Sequence, residues 1–442
     1  MSAARAPGGT SSIATQGVRA FRHRNYRLFF AGQLTSLVGT WMQQVAQGWL
    51  VLQLTHDPFW LGLVATAQFL PVVVLGLFGG VLADQLPKRG TLIVSQAAAM
   101  ILALVLFVLT ATGTVEVWHV LVLAALLGVT NAIEMPTRQA FTVEMVGRED
   151  VGNAIGWNSS TFNGARVVGP AIAGLTIAAF DISVAFLINA VSFMAVIAAY
   201  LAMREGELRP APRLDRPHSV GDVVDSLVEG LAYVRRTDIV LLAVLTVGLV
   251  ATFGMNFGVV IPPLASDVLR SDASGFGFLM AATGIGSLAA ALAVAFGSRI
   301  RTMAIPLGAI ALGVGSVVAG VSNDFWLTFL ALTVVGGGGI AMAVTANAAI
   351  QTAVPDQLRG RVLSVYTTIF SLSVPLGGLL TGWLASAFGV QVALVVGGVL
   401  SALVGIGALV RLRRLGRHGL VIRPSPEPSA DAATALTTAR PR

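Results

Sequence analysis

Twelve long apolar stretches alternate with short polar gaps along this 442-residue chain, at 28–54, 59–83, 91–113, 117–136, 151–179, 182–203, 239–264, 275–298, 303–321, 325–347, 362–387 and 390–410. Each is close to the roughly 20 residues that cross ~30 Å of hydrocarbon as an α-helix. A membrane strand would alternate over about ten residues, and these runs are too long and too uniformly apolar for that. The pattern predicts an all-α membrane protein with twelve transmembrane helices. The longest internal gap, 204–238, divides them into six-helix bundles at 28–203 and 239–410. Residues 1–27 form a polar N-tail, and 411–442 a basic C-tail expected to be disordered.

The long gap opens with Arg209, Pro210, Pro212, Arg213, Arg216 and Pro217. An amphipathic helix follows, with Val220, Val223, Val224, Leu227, Val228 and Leu231 on one face and Asp222, Asp225 and Glu229 opposite. Ser219 and Asp222 have the spacing of a capping box. Such a helix is expected to lie at the membrane interface as a linker.

Charge gives this arrangement a direction. All but two of the 28 Lys and Arg residues fall in the tails and in alternate gaps, the exceptions being Arg166 and Arg270. Short cytoplasmic loops retain positive charge, so both termini are expected inside a plasma (inner) membrane. Charged residues make up 11% of the chain, against about 25% in soluble domains, and the mean hydropathy of +0.81 excludes that class. A sequence pI near 10.8 does not imply nucleic acid, because the basic residues spread along one membrane face instead of gathering in a patch. The chain has no cysteine, and its five histidines sit in loops, tails or helix ends. Neither a metal nor another cofactor is expected, nor enzyme chemistry. The polar N-tail is followed by an apolar run too long for a cleavable leader, so that run is expected to be retained as the first helix.

The two halves repeat. Val146, Gly152, Gly169-Pro170-Ala171-Ile172-Ala173-Gly174 match Val354, Gly360, Gly377-Gly378-Leu379-Leu380-Thr381-Gly382 at one constant offset, and both copies cover an inside loop and the helix after it. A parallel repeat of six helices suits a transporter whose halves rock about a central site.

The loop after the second stretch reads Gly80-Val81-Leu82-Ala83-Asp84-Gln85-Leu86-Pro87-Lys88-Arg89. In the fifth stretch, Gly156, Ala165, Gly169-Pro170 and Ala173-Gly174 place small residues where helices can approach closely, with Pro170 bending the helix. These two motifs resemble signatures of the major facilitator superfamily. Asn25-Tyr26-Arg27, Gly39-Thr40-Trp41-Met42-Gln43, Glu134 to Phe141 and Val354 to Val362 are similar to its branch of drug and metabolite exporters, which holds the enterobactin exporter and macrolide efflux proteins. The likeness covers about residues 20–410. It implies two pseudo-symmetric six-helix bundles, and a latch of Gly80, Asp84, Lys88, Arg89, Glu134 and Arg138 in which Glu134 is the acidic partner of Lys88. It also implies close packing at Gly156, Gly169, Pro170 and Gly174, export as the direction, and proton antiport as the energy source. Pro87 stands where the family usually has Gly. Ala124 and Thr40 occupy places where some members carry an Arg and an acid, so the coupling signal is weak.

Lys88 is the sole lysine, preceded by Pro87, so no phosphate-binding loop for ATP exists. Arg166 lies near the middle of the fifth stretch, where a charge costs from ~2.5 kcal/mol upwards. Two roles stay open for it: holding carbonyls and Asn side chains, or meeting an anionic group on a substrate. Asn163, one turn before, shares its face. Asn158, Gln43, Gln47, Asn131 and Asn256 add polar groups, and Trp41 and Phe253 aromatic walls, for an amphiphilic ligand. Each polar residue also suits plain helix–helix hydrogen bonding. The expected function is secondary active export of a small amphiphilic drug, siderophore or secondary metabolite by alternating access, from a monomer in the lipid bilayer. A metabolite importer or facilitator, and a transport-inactive sensor or scaffold, are the rivals.

Overall fold

Inside hydrocarbon a backbone must satisfy its own hydrogen bonds, and an unclosed chain can do so only as helix. The computed structural model is accordingly built from helices; it describes residues 17–209, 220–296 and 302–416, and among these there is no strand. In order they are α1 (Arg24–Thr55), α2 (Pro58–Gln85), α3 (Lys88–Ala111), α4 (Val117–Ala179), α5 (Ile182–Leu201), α6 (Val220–Arg236), α7 (Asp238–Gly254), α8 (Phe257–Pro263), α9 (Ala273–Ala295), α10 (Ala304–Val321), α11 (Phe325–Ala353), α12 (Asp356–Phe388) and α13 (Val390–Arg414).

Among the described residues ten helical segments are long and apolar enough to cross a membrane. Two differences separate this number from twelve. The first is α4, whose 63 residues would reach about 95 Å as one rod, three times the hydrocarbon thickness. It breaks at Gly147 (φ 73°, ψ 172°) into arms 117–146 and 148–179, each a crossing. The second is α1, whose apolar character is diluted by Gln33, Gln43, Gln44 and Gln47. The gap expected at 137–150 is thus helical up to the break. Phe141, Met145 and Val146 are buried in an aromatic core with Tyr26, Phe29, Leu92 and Tyr200, and this burial carries the helix past the membrane edge.

The chain forms two compact units, Met1–His218 with Ile261–Gly284, and Ser219–Val260 with Ile285–Arg442. The division expected from sequence puts 261–284 in the second half; here those residues pack with the first unit. In the first unit α2 lies against the first arm of α4, α1 against the second arm and α5, and α3 against α5. The Gly128–Gln68 crossing leaves no room for a Cβ. In the second unit α10 packs on α11 and α13, and α7 on α12 and α13. Pro262 and Pro263 remove donors from α8, and the chain continues as a π-helical turn, Leu264–Val268.

The linker helix α6 is present and packs on α12. Its buried positions among the described residues are Gly230, where a Cβ would come 2.6 Å from the Arg361 carbonyl, and Val234. Of the expected apolar face, Val228 and Leu231 stay exposed, as a helix lying in a membrane interface requires. Ser219 and the Asp222 side chain of the expected capping box lie outside the described residues. Exposed aromatics mark helix ends in both units, Trp118 and Phe180 in the first and Trp326, Trp383 and Phe388 in the second, the positions favoured at membrane–water boundaries. The C-tail is helical to Arg414; residues 417–442 lie outside the described set.

Candidate functional site

The second arm of α4 combines two faces that a lipid-facing helix does not combine. One is closed: Gly169 sits so near α1 that a Cβ would come 2.5 Å from the Trp41 Cβ and 2.9 Å from the Val38 carbonyl. Gly174 is equally tight against the Ala273 carbonyl at 2.7 Å, and Pro170 is buried beside it. The other face is open and polar. Ser159 and Ser160 are exposed, and a Cβ on Gly152, Gly156 or Gly164 would meet nothing within 4 Å. The packing expected at Gly156 is therefore not made: this glycine points away from every neighbour. α1 contributes Thr40 and Gln44, also exposed. Ser160 and Thr40 donate to the Gly156 and Ser36 carbonyls of their own helices at 3.0 and 2.9 Å; the exposed Ser159 and Gln44 beside them suit a water-accessible space, since lipid offers no hydrogen bonds.

Where the two faces meet stands Arg166. Its guanidinium carbon lies 5.8 Å from the centre of the Trp41 ring, a cation–π geometry. Phe162 meets the same ring edge-on at 5.6 Å. Asn163 donates to the Ser159 carbonyl of its own helix at 2.9 Å. Trp41, Phe162, Asn163 and Arg166 thus form one group of a cation, aromatic surface and an amide. Phe162 escaped notice in the sequence because nothing in an apolar run marks which aromatic will stack.

The other expected contact residues are engaged elsewhere. Gln43 accepts from Asn189 of α5 at 2.6 Å, a buried bond, and Gln47 is buried one turn further on. Asn158 lies 3.0 Å from the Tyr26 hydroxyl, which it accepts from. Asn131 is half-buried on the first arm of α4. Asn256 and Phe253 belong to the second unit, where Asn256 donates to the Thr252 carbonyl at 2.7 Å and lies 3.1 Å from the Thr381 hydroxyl. They line a space of only about 10 Å³ with Ser316. These are helix-to-helix bonds of the kind that polar groups make within membranes. Asn189, a buried amide in a mostly apolar α5 that also accepts from Ser192 at 3.1 Å, was the legible sign of its bond.

At the other end of the first unit the expected latch residues take different partners. Lys88 pairs with Glu144 at 2.7 Å, not with Glu134. The reason is the helical extension of α4, which carries Glu144 to the start of α3. Glu134 is buried, pairs with Arg138 at 3.1 Å and accepts from Gln96 at 3.4 Å. Arg89 donates to the Tyr200 carbonyl at 2.8 Å and the Leu201 carbonyl at 3.1 Å, and pairs with Glu205. It thereby caps the last turn of α5. Gly80 and Asp84 lie on α2, and the surroundings of Gly80 and the side chain of Asp84 fall outside the described set. Among the described residues no group of His, Cys, Asp and Glu could hold a metal ion.

The family of transmembrane secretion effectors matches residues 15–434. The multidrug efflux pump Tap of Mycolicibacterium fortuitum is 31% identical over 402 residues, covering 88% of this chain and 96% of that protein. The staphyloferrin A transporter of Staphylococcus aureus (strain NCTC 8325 / PS 47) is 25% identical over 82% and 90% of the two chains. Macrolide efflux protein A of Streptococcus pyogenes is 24% identical over 84% and 92%. In fold, a bacterial homologue of the human lysosomal transporter Spinster aligns at a TM-score of 0.70 with 12% identity, over 88% of this chain and 96% of that one. Twelve crossings, a repeated helix pair and this match over nearly the whole length make the chain a membrane transporter, not an enzyme, and it belongs to the transmembrane secretion effector family of the major facilitator superfamily.

Proposed function

We propose that this transporter exports a small amphiphilic compound, a drug, siderophore or secondary metabolite, by alternating access driven by proton antiport. The observation that carries the reading is Arg166 against Trp41, at the border between the packed and the open faces of α4. The guanidinium there meets an anionic or polar group, while Trp41 and Phe162 hold the apolar part of the same molecule. Relatives named for efflux and for a siderophore support this class of cargo. Both termini lie in the cytoplasm by the distribution of basic residues, and the Lys88–Glu144 and Glu134–Arg138 pairs stiffen that end as the latch. Arg166, Asn163, Trp41 and Phe162 are the substrate contacts.

The test is accumulation of a panel of amphiphilic anions, cations and siderophores in cells with and without the protein, followed by inverted vesicles with and without an imposed pH gradient. Greater retention in the deletion strain and gradient-dependent uptake by inverted vesicles are expected. Reduced uptake in the deletion strain would make the protein an importer or facilitator, and no change across the panel would remove transport from the reading.

A further inference from the structure

Away from the Arg166 group, the first unit holds a second cationic place, at the entry to α1. A cavity of about 510 Å³ opens there, walled by Arg22, His23, Arg24, Arg204, Glu207 and Arg209 and floored by Met145. Four arginines line it. The one carboxylate in the wall among the described residues, Glu207, is held by Arg204 at 3.1 Å, and His23 faces Asp150 at 2.9 Å. Among the described residues Arg22 and Arg209 have no carboxylate partner.

Orientation of the chain requires positive charge at this end but not its placement around a hollow. The hollow is also fixed by backbone bonds. Asn25, itself buried, donates to the Arg204 carbonyl at 2.9 Å and accepts the Arg204 amide at 3.0 Å. Arg24 donates to the Ala202 carbonyl at 3.2 Å, and the Arg209 amide to the Glu144 carbonyl at 2.9 Å. The Arg209 guanidinium lies over Gly147, where a Cβ would come within 2.7 Å of it. The left-handed break in α4 thus makes room for the arginine. Beside Met145 the aromatic core of Tyr26, Phe29 and Tyr200 is buried.

The depth of the cavity identifies the ligand class. At 32 residues α1 is about 48 Å long, well beyond ~30 Å of hydrocarbon, so its first turns stand at headgroup level. Phe21, Phe30 and Trp157 stack edge-to-face beside them, as aromatic side chains do in that layer. Guanidinium forks match the paired oxygens of a phosphate. Among the described residues the acid of the wall is already engaged by Arg204, which disfavours a headgroup ammonium. We propose that this cavity binds a phosphate ester, and that its source is the headgroup of an acidic phospholipid.

The experiment titrates the full-length protein in detergent with fluorescent short-chain phosphatidylglycerol, with phosphatidylcholine, and with inorganic phosphate as competitor. Saturable phosphatidylglycerol binding is expected, at least about tenfold tighter than phosphatidylcholine and weakened about tenfold or more in R22Q/R209Q. Inorganic phosphate should displace it only at far higher concentration. Displacement by phosphate at concentrations as low as the lipid's own would overturn the lipid source, leaving a soluble phosphate site. Equal binding of the two lipids, or unchanged binding in R22Q/R209Q, would overturn the site. A second readout needs no variant: phenylglyoxal labelling of Arg22 and Arg209 in the unaltered protein should be suppressed by phosphatidylglycerol and not by phosphatidylcholine, and equal labelling would sink the proposal.

Discussion

The second arm of α4 and α12 correspond as two copies of one helix with different chemistry. Each follows a break, at Gly147 and between Val354 and Pro355. Each has an open glycine near its start, Gly152 and Gly360, followed by exposed small or polar residues, Gly156 and Ser159 in one, Ser364 and Thr367 in the other. Each then packs a glycine on the first helix of its own half or its end: Gly169 on Trp41 of α1, Gly377 on Thr252 of α7 and on Asn256 just beyond it. At the position of Arg166, however, α12 has Val374, and where α4 faces an indole α12 faces the Asn256 amide, itself bonded to Thr381. The backbone plan was kept and the charge placed in one copy. Close packing therefore belongs to the fold, while the charge is present in one copy alone and is what the proposed function assigns to the cargo.

Breaking the shared plan should have the largest effect. Gly169→Val and Gly377→Val each force a branched side chain into backbone and should lower stability by about 3 kcal/mol or more, read as thermal midpoints of the purified proteins. A neutral Gly377→Val would end the correspondence between the copies. Arg166→Ala comes next. Loss of a charge-assisted bond of ~1.5–3 kcal/mol should cut transport of an anionic substrate by about tenfold or more at unchanged membrane level, whereas Asn256→Ala should cost mainly stability, about 1 kcal/mol. Equal transport by Arg166→Ala would remove the distinction drawn here.

Ion pairs at the helix ends sharpen the contrast further. Lys88 and Glu144 are both mostly buried (16% and 12% exposed), so Lys88→Ala leaves an unpaired acid and should cost about 1–3 kcal/mol, largely restored in K88A/E144A. Arg359–Asp356 and Arg361–Glu229 in the second unit are solvent-exposed, and removing either should change stability by less than about 1 kcal/mol. An effect of similar size, set apart by its pH dependence, concerns the helix caps Asp181 and Asp324, which accept the Ser183 and Leu327 amides at 2.8 and 2.7 Å. The Ser183 amide holds the Asp181 carboxyl below its ordinary range. Its contribution is therefore present at neutral pH and lost as pH falls through that lowered value. Asp181→Ala should cost about 0.5–2 kcal/mol at pH 7, and the gap between variant and parent in midpoint against pH should close only in strong acid.

Much of this was legible before any coordinates. The crossings and the linker helix followed from where apolar runs stop, and the duplication from one constant offset. Partners were not legible. Glu134 and Glu144 look alike in sequence, and only the continuation of α4 through Phe141 and Met145 brings Glu144 to Lys88. Gly156 and Gly169 belong to one motif, yet one faces open space and the other a tryptophan, because α1 crosses the helix at only one of them. The cavity at Arg22 and Arg209 joins residues nearly two hundred positions apart, beyond the reach of any local pattern.

By itself the sequence determined that this chain lives in a membrane, how often it crosses and which family it resembles. Those properties depend on summed transfer energies and local periodicity, which add residue by residue. The tertiary structure alone decided which polar side chains satisfy one another and which are left facing water, because a hydrogen bond or a stacked ring depends on where a second helix passes. That is why Asn158 and Gln43 proved to hold helices together, and why Arg166 stands over Trp41 at the edge of an open face.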